Sequence, residues 1–170
     1  MGTTYTENGF TVSQVDSVPF AVFGTQESRY PGSTALFINT IGGSSRLTQV
    51  GGGAFNLSSI DLTSLDGNQT VAVSFTGRRS DNSTIAQFFT TDAILSTLET
   101  FSFTNFTNLV SVDWTQDRPF HQFDNINVSA VNATAVPEPF TILGTLFGAG
   151  SGVTLKRKLA KAQADKRSID

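Results

Sequence analysis

The side chains able to do chemistry in this chain are few and mostly acidic. Its 170 residues include 14 Asp and Glu, 11 Lys and Arg, one His and no Cys. Without cysteine there is no thiolate nucleophile, no disulfide framework and no thiolate zinc site. The single histidine, His121, excludes a multi-histidine metal centre. Carboxylate chemistry is what remains. A pair such as Asp113 and Asp117 is the type that hydrolyses glycosides, with one carboxyl as acid and the other as base or nucleophile. Their spacing puts Asp113 on the polar face of a strand and Asp117 in a loop, where solvation alone accounts for both. His121 belongs to no nucleophile motif, and no Gly-x-Ser-x-Gly elbow occurs. Catalysis is therefore the weakest reading, and the expectation is a protein that is not an enzyme and has no resident cofactor.

Binding chemistry is better represented. Sugars stack on exposed aromatic rings and bond through Asn, Asp and Arg. Tyr30, beside Pro31-Gly32, is the aromatic candidate for such a face. Arg78 and Arg79 with Asp81 and Asn82, and Arg118 with His121, are its candidate polar partners. Trp114 shares an alternating run with Val110 and Val112 and reads instead as core. The net charge of −3 is too small to favour a nucleic-acid partner.

These residues need a scaffold, and the first ~135 positions read as strands and turns. Val71, Val73 and Phe75 alternate with Ala72 and Ser74, and Val110, Val112 and Trp114 alternate with polar neighbours. Such alternation gives a strand one buried and one wet face. Further strands are expected at Phe10–Val15, Ala21–Phe23, Thr34–Ile41, Ala54–Leu57, Ser59–Leu65, Thr84–Thr90, Phe101–Phe103 and Gln122–Val128. Pro31-Gly32, Gly42-Gly43, Gly51-Gly52-Gly53, Asp66-Gly67 and Ser80-Asp81-Asn82 separate them as turns. Nine or ten short strands at this spacing predict an all-β, jelly-roll-like β-sandwich. The 15 Phe are its expected core filler, since only 15% of residues are charged.

Charge is distributed unevenly. Residues 1–136 hold five Arg, no Lys and eleven acids, leaving −6; residues 137–170 hold six Lys and Arg against three acids, leaving +3. Every lysine lies in the last fifteen residues. The same end carries an ordered set of features: Val136-Pro137-Glu138-Pro139, an uncharged apolar stretch from Phe140 to Leu155, then Lys156-Arg157-Lys158. The prolines exclude helix and ladder and keep the motif extended. Sixteen residues of helix rise about 24 Å, short of the ~30 Å hydrocarbon core, a gap that snorkelling bases and bilayer thinning can close. By length and hydropathy alone the stretch reads equally as a membrane helix, a buried core helix or an apolar tail.

The order of the three features resembles the PEP-CTERM sorting signal of bacterial exported proteins. The matching residues are Val136-Pro137-Glu138-Pro139, Ile142-Leu143-Gly144, the Gly-rich apolar stretch and Lys156-Arg157-Lys158, and the basic end through Arg167 is similar to cyanobacterial versions. The resemblance implies recognition by an exosortase, a membrane-embedded processing enzyme, with Pro137, Glu138 and Pro139 as substrate residues. It also implies a single transmembrane helix over 140–155, with Lys156, Arg157 and Lys158 as a cytoplasmic stop and the body outside.

The expected domains follow: a sandwich over 1–131, a linker with the sorting motif over 132–139, the membrane helix over 140–155 and a basic tail over 156–170. The body resembles, more loosely, galactose-binding-like jelly rolls and carbohydrate-binding modules, through Phe55–Leu62, Val71–Gly77, Leu109–Trp114 and Phe123–Val128. That likeness implies a structural calcium at Asp124, with Glu7 or Asp16 as partner, and oxygen-only ligands suit such a hard cation. Proteins with this tail carry a secretion signal, whereas Met1–Phe10 is polar, so the native chain is expected to start upstream of Met1. The functional expectation is an exported envelope or exopolysaccharide-matrix protein. The alternative is a carbohydrate-binding module of that matrix, held there by polysaccharide.

Overall fold

The computed structural model describes residues 2–67 and 69–131. Eleven strands and no helix occur among them. They are β1 (Thr4–Glu7), β2 (Phe10–Gln14), β3 (Phe20–Ala21), β4 (Phe37–Ile38), β5 (Ser44–Gln49), β6 (Phe55–Ser64), β7 (Ala72–Arg79), β8 (Thr84–Thr90), β9 (Glu99–Ser102), β10 (Leu109–Thr115) and β11 (His121–Ala130). The described body is thus all-β, as its alternating runs require.

Nine strands form one curled antiparallel sheet, and β3 with β4 forms a small separate one. Strand β10 is the junction. It pairs with β5 on one side and β7 on the other, and its first residue, Leu109, also pairs with Phe55 of β6. One side of the sheet runs β1-β2-β5-β10-β7-β8; the other is β6 flanked by β11 and β9. Aromatic contacts show these two sides facing each other. Trp114 of β10 meets Phe123 of β11 edge-on at 5.0 Å, Phe10 of β2 meets Phe55 of β6 at 5.7 Å, and Phe89 of β8 lies 5.0 Å from Phe101 of β9. Phe75 is fully buried between them, with rings of Phe89, Phe103 and Trp114 against it. The phenylalanines are mostly core filler, as expected from a chain so poor in charge.

Several boundaries differ from the sequence reading, each for a physical reason. Ala54–Leu57 and Ser59–Leu65 are one long strand, β6, because Ser58 is exposed on its outer face and interrupts nothing. Thr34–Ile41 shrinks to Phe37–Ile38, with Leu36 bridging Phe123. Asp66-Gly67 lies in the loop between β6 and β7, which do not pair with each other: β6 pairs with β9, β10 and β11, and β7 with β8 and β10. In β10 the inward residues are Leu109, Val112 and Trp114 rather than Val110, Val112 and Trp114. A register shift between Leu109 and Ser111 inserts an extra residue, and such a bulge resets the alternation.

Strands β1 and β5 were not expected. For β1 the signal was present: Asn8-Gly9 is the strongest short hairpin dipeptide. Both residues have positive φ, 49° and 80°, and they close the Glu7–Phe10 pair that starts the β1–β2 ladder. Strand β5 hid because the inward neighbour of Leu47 is Ser45, a polar residue on a buried face.

Candidate functional site

A cleft of about 610 Å³ opens beside the β1–β2 hairpin and β11. Two local features build its rim. The Asn8-Gly9 turn sets Tyr5 and Glu7 on one side of β1, where the Tyr5 hydroxyl donates to Glu7 Oε2 at 2.7 Å. Opposite, β11 bulges between Asp124 and Asn127, with Asn125 at φ 47°. The Asn125 amide N–H donates to Asp124 Oδ1 at 2.8 Å, and its side chain donates to Asp61 Oδ2 at 2.8 Å. Ser33 Oγ donates to the other oxygen of Asp124. Below the rim the lining is apolar, with Val12, Leu36, Leu47 and Phe123. The Tyr5 phenol is held above its ordinary pKa, first by its bond to Glu7, then by burial and the charges of Glu7 and Asp124. The rim thus holds two carboxylates, Glu7 and Asp124.

Of the three residues expected around calcium, the fold brings two together. Glu7 and Asp124 line the same cleft. Asp16 does not line it, and its carboxylate instead accepts the Ser44 backbone N–H at 2.9 Å. Among the described residues no group of three or more His, Cys, Asp or Glu is placed to hold a metal. Asp124 acts as the cap of its own bulge.

The four residues expected to meet a glycan are dispersed. Tyr30 is only half exposed, in a turn where its N–H bonds Glu27 O at 3.0 Å. Arg79 reaches Asn105 O at 3.0 Å. Arg78 is exposed on the outer face of β7 and donates to Asn82 Oδ1 at 2.6 Å across its hairpin. Arg118 lies over the Phe120 ring at 5.6 Å and lines a second, smaller cleft of about 440 Å³ with Asp66 and Gln69. His121, named as a partner of Arg118, cannot meet a ligand at the surface: it is 1% exposed. Burial pushes its imidazole pKa down to about 4, so the ring is neutral at pH 7.

The two carboxylates with a catalytic look are engaged in structure. Asp113 holds Arg46 through two bonds of 2.6 and 3.0 Å, and Asp117 accepts the Arg118 N–H at 2.8 Å. The fold also buries a polar row that the sequence reading does not single out. Gln14, Ser45 and Trp114 pair across β2, β5 and β10, point inward, and keep polar atoms with no partner among the described residues. Their alternation with apolar residues was the available signal, but nothing in a sequence separates a buried serine from a wet one.

No protein-family model, no curated protein and no solved structure matches the chain. Among the described residues no helix is long and apolar enough to cross a membrane. Val136, Pro137, Glu138 and Pro139, the 140–155 stretch, and Lys156, Arg157 and Lys158 lie outside the described residues.

Proposed function

We propose that this chain is an exported, non-enzymatic β-protein, delivered to the cell envelope or exopolysaccharide matrix by its C-terminal tail. The observation that carries the reading is the order of three features: Val136-Pro137-Glu138-Pro139, the uncharged Phe140–Leu155 stretch, and Lys156-Arg157-Lys158. A membrane-embedded exosortase-type enzyme reads the first, a transmembrane helix is formed by the second, and the third stops transfer. The body is a jelly-roll-like sandwich. That assignment is supported by the facing β1-β2-β5-β10-β7-β8 and β9-β6-β11 sides, and by the Leu36–Phe123 bridge that extends the second towards β4. The test is replacement of Pro137-Glu138-Pro139 by three alanines in the expressing cell, followed by fractionation. Accumulation of uncleaved membrane-bound chain is the expected result; unchanged size and release would overturn the proposal.

A second reading, a module that holds polysaccharide, is favoured by one observation. The outer face of the β1-β2-β5-β10-β7-β8 side is rich in hydroxyls and carries a solvent-facing phenyl ring, Phe88.

A further inference from the structure

We infer that the outer face of the six strands β1-β2-β5-β10-β7-β8 is a binding platform for a neutral, hydroxyl-rich polysaccharide, with Phe88 as its stacking residue. This rests on the second reading and assigns it a site. Residues paired directly across an antiparallel ladder share a face. The ladder registers therefore place Thr4, Ser13, Arg46, Asp113, Thr76 and Ala86 in one outward row across all six strands. At strand spacings of about 4.8 Å the row spans roughly 24 Å, long enough for several sugar units. Phe88 stands on the same face, opposite Ser74.

Three properties of this face point to such a ligand. First, its hydroxyls are already organised: Thr6 and Thr11 bond side chain to side chain at 3.0 Å, as do Ser44 and Thr115. Threonine suits any solvated strand, so the hydroxyls count only together with the two properties that follow. Second, Phe88 is 73% exposed on an edge strand whose neighbouring residue Phe89 faces the core. Nothing in folding requires a bare phenyl there, whereas a sugar ring presenting its C–H face would cover it. Third, the charge at the centre cancels. Arg46 and Asp113 neutralise each other through two bonds, and Arg78 lies at the hairpin end, tied to Asn82. A face with so little net charge attracts neither phosphates nor cations and matches an uncharged polymer.

The experiment uses the full 170-residue chain in a polyoxyethylene detergent, which presents no sugar to compete. Affinity electrophoresis and co-sedimentation would be run against amorphous cellulose and dextran, with polygalacturonate as the anionic comparison. The expected result is retention by a neutral glucan. Phe88→Ala should weaken it about tenfold and Phe88→Trp should restore it. Ile41→Ala, an exposed apolar residue in a loop, should leave it unchanged. The exposure of Phe88 predicts an unaltered melting temperature, so loss of binding would not be loss of fold. Retention unaffected by Phe88→Ala would overturn this site while leaving the polysaccharide reading intact. Retention by polygalacturonate alone would overturn the neutral-ligand assignment. Absence of retention on all three polymers would overturn the site and the reading together. A wild-type dimer that Phe88→Ala dissolves would assign the face to a second copy instead.

Discussion

At the scale of single residues, burial decides what each titratable or polar group can do. His121 is the clearest case. Its folded-state pKa of about 4 lies below the ~6.5 of an unfolded imidazole. The unfolded chain thus binds a proton that the folded chain refuses as pH falls from about 6.5 towards 4, and stability drops across that window. Urea denaturation of wild type and His121→Leu at pH 7.5 and pH 5 should show the difference. The variant should lose about 2 kcal/mol less over that interval, because the carboxylates titrate alike in both. An equal pH dependence in both proteins would mean that His121 is solvated in solution. Arg46 and Asp113 illustrate the opposite case. Their side chains are 47% and 35% exposed, so their geometry is good but their energy is small. Asp113→Ala should cost no more than about 1 kcal/mol in the same assay.

Single strands and turns were legible where alternation met a strong turn signal and obscure where it did not. Thr84–Thr90 is β8 to the residue because its alternation ends at the Ser80-Asp81-Asn82 turn, with Asn82 at φ 68°. Strand β5 was illegible because Ser45 occupies an inward position, and β1, with all four of its side chains exposed, is marked by its Asn8-Gly9 turn alone. Two glycines separate turn chemistry from packing. Gly9 has φ 80°, and a Cβ there would meet nothing within 4 Å. Gly9→Ala should therefore cost about 1–2 kcal/mol through backbone strain alone, and Gly9→Asn should cost less. Gly77 in β7 has no positive φ, but its Cβ would stand 2.8 Å from Leu109 Cδ2 and 3.2 Å from Phe106 Cε1. Gly77→Ala should cost about 1–3 kcal/mol by overpacking, and Gly77→Asn should be worse than Gly77→Ala. Chemical denaturation of the four variants checks both orders.

At the scale of the whole molecule, the described body is held by an aromatic core, and the proposed sorting draws on an asymmetry of charge along the sequence. Phe75 is wholly buried and touches three other rings. Phe75→Ala should remove about 3–5 kcal/mol, read as a fall in denaturation midpoint large enough to leave part of the chain unfolded at 37 °C. The charge asymmetry supplies a direct assay of processing. All lysines fall at or after Lys156, so a product cleaved near Pro137-Glu138-Pro139 contains none. Amine-reactive dye should label side chains of the full chain and only the α-amino group of the processed form, as peptide mapping would report. Lysine-bearing peptides in the released protein would count against cleavage at that motif.

The sequence by itself determined that the described body is all-β, the inward place of Trp114 and the acidic body with its basic end. Those depend on local alternation, turn residues and composition, which a linear reading contains. Only the tertiary structure decided which distant residues meet. It brought Glu7 to the cleft of Asp124 and set Asp16 apart. It buried His121, and it laid Thr4, Arg46, Thr76 and Phe88 on one outer face. Such meetings are set by the pairing register of strands far apart in the chain, and a bulge like that at Leu109–Ser111 can turn a whole strand over with no mark in its residues.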